Sequence, residues 1–178
     1  EQLELHIRKR DGGLFSGMLF GNDPLIKEKT IMRVRGPMGT FILNEEETQP
    51  IILLATGTGF APIQSILLRL IEQQSQRQVH LYWGGRNEAE LYYAEQAAEL
   101  TGRLKNGRFT PVLSRADENW NGARGHVQQQ VLRDHPDLSA HQVYACGSPA
   151  MITDAQEILT GQGRLKNDAF FSDAFSPA

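Results

Sequence analysis

The sequence predicts an α/β fold: a parallel sheet with helices on both faces, preceded by a shorter β portion that reads as antiparallel. Three observations predict it. From Gln49 onward, apolar strand-like runs alternate with helical patterns, the order that a parallel sheet produces. Ile51–Ala55 is apolar without a break, as a strand buried on both faces is. Before Gln49 the apolar residues instead recur at every second position between glycine-rich turns.

In chain order, Leu3, Leu5 and Ile7 alternate with Glu4, His6 and Arg8 as a half-buried strand that ends at Asp11, Gly12 and Gly13. Phe15–Phe20 reads as a short helix. Thr30–Arg35 alternates again, Gly36–Gly39 is a turn, and Thr40–Leu43 is another short strand. Glu45, Glu46 and Glu47 read as a solvated linker. The boundary therefore falls after residue 48, with one domain over 1–48 and a second over 49–178.

In the second domain the strands are Ile51–Ala55, Val79–Trp83, Phe109–Leu113, Gln142–Ala145 and Ala169–Ser172. Ile63, Ile66, Leu67, Leu70 and Ile71 mark one apolar helix face. Leu91–Leu100, Val127–Leu132 and Pro149–Leu159 supply further helices, and Gly161 follows the last as C-caps prefer.

Composition limits what such a chain does. Lys and Arg number 18 against 21 Asp and Glu, so no basic excess favours nucleic acid. No run approaches the roughly 18 apolar residues of a membrane span. Cys146 is the single cysteine, so the chain closes no internal disulfide and holds no iron–sulfur cluster by itself. A reducing, cytoplasmic setting is the expectation. The chain opens on Glu1 in mid-pattern, as part of something longer would.

Four turns carry candidate chemistry, each at the carboxyl end of a strand. After the first strand come Thr56, Gly57, Thr58, Gly59 and Pro62. Glycines there let backbone approach a phosphate, and the helix start offers unpaired N–H groups to an anion. The stretch lacks the third glycine of the dinucleotide fingerprint and the lysine of a P-loop, which disfavours a nucleoside triphosphatase. After the second strand come Gly84, Gly85 and Arg86, leaving room and a guanidinium. After the third, Ser114 and Arg115 suit a 2′-phosphate. After the fourth, Cys146, Gly147, Ser148 and Met151 suit a flat ring over the strand end. In open parallel sheets ligands bind at this edge, so the four turns together point to one extended nucleotide site.

The rest of the chain offers no acid–base machinery. The histidines at 6, 80, 126, 135 and 141 lack metal spacing, and His80 reads as a packed core residue. No serine sits in a nucleophile elbow. Hydride transfer between cofactors needs positioning rather than such groups.

Taken in order, Gly12–Ser16, Gly36–Phe41, Thr56–Pro62, Tyr82–Arg86, Trp120–Val127, Tyr144–Met151 and Phe171–Phe175 make the chain resemble the ferredoxin–NADP reductase superfamily. Within it the chain is most similar to NAD(P)H–flavin reductases and to reductase components of oxygenases and deoxysugar synthesis. The resemblance implies part of an antiparallel flavin-binding β-barrel, then an NAD(P)-binding domain. It implies FAD and NADH or NADPH as cofactors, with an iron–sulfur cluster only on an upstream domain. It puts Leu14, Phe15 and Ser16 at the flavin pyrophosphate and Gly57–Pro62 at the nicotinamide-nucleotide pyrophosphate. Arg86, Ser114 and Arg115 would face the adenosine, where the two arginines lean toward NADPH. Cys146 and Gly147 would flank the nicotinamide, and Phe175 would stack on the flavin near Asp173, these with Cys146 forming the catalytic group. Ser148 departs from the family's usual Cys-Gly-Pro-Pro.

The resemblance implies a hydride passed from NAD(P)H to flavin, then electrons to a free flavin, a ferredoxin-type iron–sulfur centre or an oxygenase or sugar-reducing partner. The family's Arg-x-Tyr/Phe-Ser flavin motif is absent and would lie upstream of Glu1. The expectation is that the intact protein binds flavin while this chain holds it poorly. The alternative is a non-catalytic NAD(P)-binding or regulatory module.

Overall fold

The computed structural model describes residues 3–36 and 38–175. The chain divides into two compact units, Glu1–Thr40 and Phe41–Ala178.

The second unit is built on one six-stranded sheet. Its strands are β1 (Ile51–Thr56), β2 (Val79–Gly85), β3 (Gly107–Leu113), β4 (Ala123–Arg124), β5 (Gln142–Gly147) and β6 (Phe170–Ala174). They lie in the order β4-β3-β2-β1-β5-β6, and every neighbouring pair is parallel. The chain winds outward from β1 through β2 and β3 to β4, then returns to place β5 on the other side of β1. The crevice between β1 and β5 is therefore the topological switch point.

Two cores cover the two faces. The helices α2 (Phe60–Glu72) and α3 (Ala94–Gly102) pack on one, with Leu53, Ala55, Leu81, Trp83 and Cys146 beneath them. On the other, α4 (Val127–Asp134) and α5 (Pro149–Gly161) cover Ile52, Leu54, Tyr82 and Ala145. Strict alternation of β1 between these cores is why its sequence is apolar throughout: each residue has a buried face to fill.

The linker reading of Glu45–Gln49 is corrected by what those residues touch. Arg69 Nε and Nη2 donate to the two Glu45 carboxylate oxygens at 2.7 and 3.0 Å. The half-buried Arg77 donates to the carbonyls of Gln49 and Asn44, and to Gln142 Oε1, at 2.6, 3.2 and 2.8 Å. The Asn44 amide donates to Tyr144 Oη at 2.9 Å, and Phe41 meets the Tyr144 ring edge-on at 6.1 Å. Residues 41–49 are thus a strap bound to the second unit, and the compact units part eight residues before the expected boundary.

Among its described residues the first unit has one helix, α1 (Leu14–Phe20), close to the expected Phe15–Phe20. The strands expected at Leu3–Ile7, Thr30–Arg35 and Thr40–Leu43 do not form ladders among the described residues. Alternation says which side of a segment is apolar, but a strand also needs a partner for its N–H and C=O groups. Of the expected turn at Gly36–Gly39, residue 37 lies outside the described residues, as do residues 1, 2 and 176–178. Among the described residues, no helix is long and apolar enough to cross a membrane.

Candidate functional site: the switch point at the carboxyl edge of the sheet

The backbone at the end of β1 turns through a single 3₁₀ turn, Gly57–Gly59, directly into α2. Gly57 has φ +54, a left-handed conformation that disfavours a side chain, and a Cβ there would meet no atom within 4 Å. Its surface is open for a ligand to approach the backbone. Gly59 is a glycine for the opposite reason: a Cβ would overlap the Cys146 carbonyl of β5. Pro62 occupies the third position of α2, where no intrahelical bond needs its N–H. The free amides and positive dipole end of α2 therefore face the β1–β5 crevice, a cradle suited to a pyrophosphate.

The other side of the crevice is β5 and its turn. Thr56 Oγ1 accepts the Ser148 amide at 3.3 Å, bridging β1 to the start of α5. A Cβ on Gly147 would overlap that same Oγ1. Ser148 caps α5, its hydroxyl accepting the Met151 amide at 3.3 Å, with Pro149 following. The exposed Ser148 accepts that one bond, and Met151 packs into the core beneath α5 with its Cε 3.1 Å from where a Gly147 Cβ would stand.

Cys146 is fully buried. Burial, reinforced by the nearby Asp173 carboxylate, pushes its thiol up to about 12. It stays protonated at neutral pH, so it shapes the floor of the crevice and is no thiolate nucleophile. Asp173 registers with Cys146 across the β5–β6 ladder. Just beyond β6, the Phe175 amide donates to the Gly147 carbonyl at 2.9 Å, and its ring is 42% exposed. The structure thus brings Cys146, Gly147, Asp173 and Phe175 to one strand end.

The turn after β2 differs from expectation. Gly84 leaves no room for a ligand, because a Cβ would lie 2.8 Å from Val127 Cγ1 and 3.2 Å from Thr56 Cγ2. It is small so that α4 can seat on the strand ends. Arg86 is not a free guanidinium. Its amide and its Nε donate to Glu90 Oε2 and Oε1 at 2.8 and 2.7 Å, and its Nη2 pairs with Oε1 as well. The 3₁₀ turn Glu88–Glu90 folds Glu90 back to the strand tip. The tip of β3 is laced to that of β2: the Ser114 amide donates to the Gly85 carbonyl and the Arg115 amide to the Arg86 carbonyl, at 2.9 and 2.8 Å. The Ser114 hydroxyl leans on the same Gly85 carbonyl at 3.4 Å. Arg115 is exposed, and no ion pair among the described residues engages it. The spacing of four residues did not reveal the pair, because that rule holds along an α-helix and Arg86 follows a strand.

In the first unit, Leu14 is 80% and Phe15 45% exposed. The amides of residues 14–16 precede the first intrahelical bond, from Gly17 to the Gly13 carbonyl. Ser16 is buried, and its hydroxyl accepts the Arg10 amide at 3.0 Å. That hydroxyl locks the turn that precedes α1.

Residues 53–157 match the family described as Oxidoreductase NAD-binding domain. The chain belongs to this family. As an oxidoreductase NAD-binding domain it is 45% identical to a CDP-6-deoxy-L-threo-D-glycero-4-hexulose-3-dehydrase reductase of Yersinia pestis, over 99% of this chain and 52% of that protein. It is 32% identical to a probable flavin reductase of Aliivibrio fischeri, over 98% of this chain and 74% of the relative. Among solved structures, the Amycolatopsis cytochrome P450 reductase GcoB matches with a TM-score of 0.81 at 28% identity, over 97% of this chain and 52% of that one. This oxidoreductase NAD-binding domain and its flanks span about half the length of the Yersinia and Amycolatopsis proteins.

Proposed function

We propose that the protein carrying this chain is an NAD(P)H-dependent reductase. A hydride passes from the nicotinamide to FAD, and electrons pass on to a free flavin, an iron–sulfur centre or a partner protein of an oxygenase or sugar-reducing system. One observation carries the reading: an open phosphate cradle, a neutral crevice floor and an exposed aromatic ring converge at the switch point of an NAD-binding family sheet. The relatives named as reductases support it.

The residues fit the nucleotide. The bare Gly57 backbone and the start of α2 would hold its pyrophosphate by N–H donation. The rim at Gly85, Arg86, Ser114 and Arg115 would meet the adenosine. Thr56 Oγ1 and Met151 Cε fill the space that a Gly147 side chain would take, so a flat ring would meet the strand end that these groups form, while the protonated Cys146 offers it no competing nucleophile. Phe175, tied through its amide to Gly147, would cover that ring and exclude water, with Asp173 beside it. In the first unit the amides of Leu14, Phe15 and Ser16 would meet the flavin pyrophosphate. The two bound cofactors supply the hydride chemistry; the protein supplies position. A single cysteine cannot ligate an iron–sulfur cluster, so any such centre belongs to another segment or protein. The lone thiol suits a reducing, cytoplasmic setting.

The test is spectroscopic. The full-length protein should carry a flavin absorbance that bleaches on adding NADH or NADPH and should then reduce ferricyanide. Nucleotide binding with no flavin and no ferricyanide reduction would leave a non-catalytic nucleotide-binding module and sink the reductase reading.

A further inference from the structure

We infer that Thr56 and Ser148 form a clasp across the mouth of the β1–β5 crevice, and that Thr56 is a positioning residue for the hydride step, setting where the nicotinamide end of the nucleotide lies. The inference rests on the reductase reading above and deepens it.

Three observations carry it. First, place. The β1–β5 ladder runs from Ile51 opposite Gln142 to Ala55 opposite Cys146 and ends there. One residue further on, Thr56 is paired on its outer side with Gly84 of β2, and Gly147 with Ala174 of β6. The backbone ladder therefore stops short of the crevice mouth, and a side chain makes the crossing. Thr56 Oγ1 accepts the Ser148 amide at 3.3 Å, across 92 residues of chain.

Second, fit. Threonine is β-branched, so its methyl and hydroxyl turn together about one stiff torsion. The Thr56 methyl Cγ2 lies 3.2 Å from where a Gly84 Cβ would stand, and its Oγ1 takes the space of a Gly147 Cβ. The glycines of the two flanking strands leave room for the two branches, one each. That seating holds Thr56 in one rotamer, with its oxygen aimed at β5.

Third, the residue on the far side. Ser148 stands where the family's usual Cys-Gly-Pro-Pro has a proline. Its φ of −66 is one that a proline ring also holds. Backbone conformation therefore does not call for serine here, whereas the bond to Thr56 calls for an N–H. A proline would remove that donor and direct its Cδ at Thr56 Oγ1. A threonine at 56 and an amide hydrogen at 148 belong together.

An exposed hydrogen bond of this length adds little to stability. Its effect falls on position, to which the rate of a transfer step is far more sensitive than affinity is. The pyrophosphate cradle at Gly57 and the start of α2 does not depend on the clasp.

Anaerobic stopped-flow bleaching of the flavin in the full-length protein, by whichever of NADH and NADPH bleaches it faster, separates the rate at saturation from the dissociation constant. Thr56→Val keeps the shape and loses the acceptor. The saturated rate should fall about tenfold while the dissociation constant stays within about twofold of wild type. Thr56→Ser, which keeps the oxygen, should retain most of the rate. Ser148→Ala keeps the amide and loses the cap on α5, so it should lower the urea midpoint while losing far less rate than Thr56→Val. Ser148→Pro should slow bleaching at least as much as Thr56→Val. Adding Thr56→Ala to it, which removes the atom that the ring meets, should recover part of the loss. A Thr56→Val rate within about twofold of wild type, or a Ser148→Ala loss as large as that of Thr56→Val, overturns the clasp and leaves the reductase reading standing. A wild type whose flavin neither nucleotide bleaches overturns that reading, and this inference with it.

Discussion

The two ends of the sheet are made from the same strands and are built in opposite ways. At the carboxyl end the strands finish in backbone: Gly57, Gly59, Gly84, Gly85 and Gly147. At the amino side of β2 the space is full of side chains bonded to one another. His80 Nδ1 lies 2.9 Å from Tyr82 Oη and 3.0 Å from His135 Nε2, and His80 Nε2 lies 2.8 Å from Thr110 Oγ1. Tyr82 Oη donates to Asp134 Oδ2 at 2.8 Å, and Gln130 donates to Asp134 Oδ1 at 3.0 Å. Nearby, Arg77 clamps residues 44–49. The difference teaches how such a sheet divides its labour. Helix N-termini gather at the carboxyl end, where free amides and open backbone can meet an anion. At the opposite end these side chains bond to one another and hold the unit together, although the buried His141 Nδ1 has no hydrogen-bond partner among the described residues.

The comparison can be broken most severely at Gly59. A Cβ there drives into backbone of β5, which no rotamer change relieves. Gly59→Ala should cost about 3 kcal/mol or more, and should abolish nucleotide binding. Urea unfolding and calorimetry check the two effects. At the other end, Arg77→Ala removes three hydrogen bonds from partly buried carbonyl groups. It should cost about 2 kcal/mol while nucleotide affinity holds steady. A variant that lost affinity before stability would contradict the division between the ends.

Acid sharpens the same contrast. Burial, with Arg108 and His135 adding repulsion, takes His80 down from 6.5 to about 3. Burial also lowers His135 and His141. Between pH 6.5 and about 3, the unfolded chain binds a proton on His80 that the folded chain refuses. Stability should therefore fall as pH falls through that window, by up to about 1.4 kcal/mol per pH unit for that ring. His80→Gln should flatten this acid limb in urea midpoints measured from pH 7 to pH 4. The smallest effect belongs to an exposed pair: Glu45→Gln, facing Arg69 in solvent, should leave the unfolding midpoint unchanged.

Much of the second unit was legible because its strands and helices are long and its pattern strong. β1, β2, β3 and β5 lie where the apolar runs predict, each extended by one or two residues. β4 was not legible, since Ala123–Arg124 is a two-residue strand with no pattern of its own. It exists because Val112 and Leu113 present an open edge beside it. In the first unit, alternation at Leu3–Ile7 and Thr30–Arg35 predicts strands that have no ladder, because pairing is a property of two segments. At the site, the position of every turn was legible and the employment of its side chains was not. Gly84 reads as room for a ligand and is room for Val127. Ser148 and Ser16 read as ligand hydroxyls and are bonded to backbone amides. Cys146 reads as a nicotinamide neighbour, and the structure adds that its thiol stays neutral.

The sequence by itself determined the order of strands and helices, the glycine turns that end them and the family to which the chain belongs. These follow from local rules: burial periodicity, the conformational freedom of glycine and the constraints on a helix start. The tertiary structure alone decided that β5 crosses to the far side of β1, which makes the crevice, and that Glu90 returns to hold Arg86. It also decided that residues 41–49 belong with the sheet. The first and last depend on atoms far apart in the chain, and the Arg86–Glu90 pair depends on how the 3₁₀ turn at Glu88–Glu90 folds back on the strand tip; no local pattern records any of them.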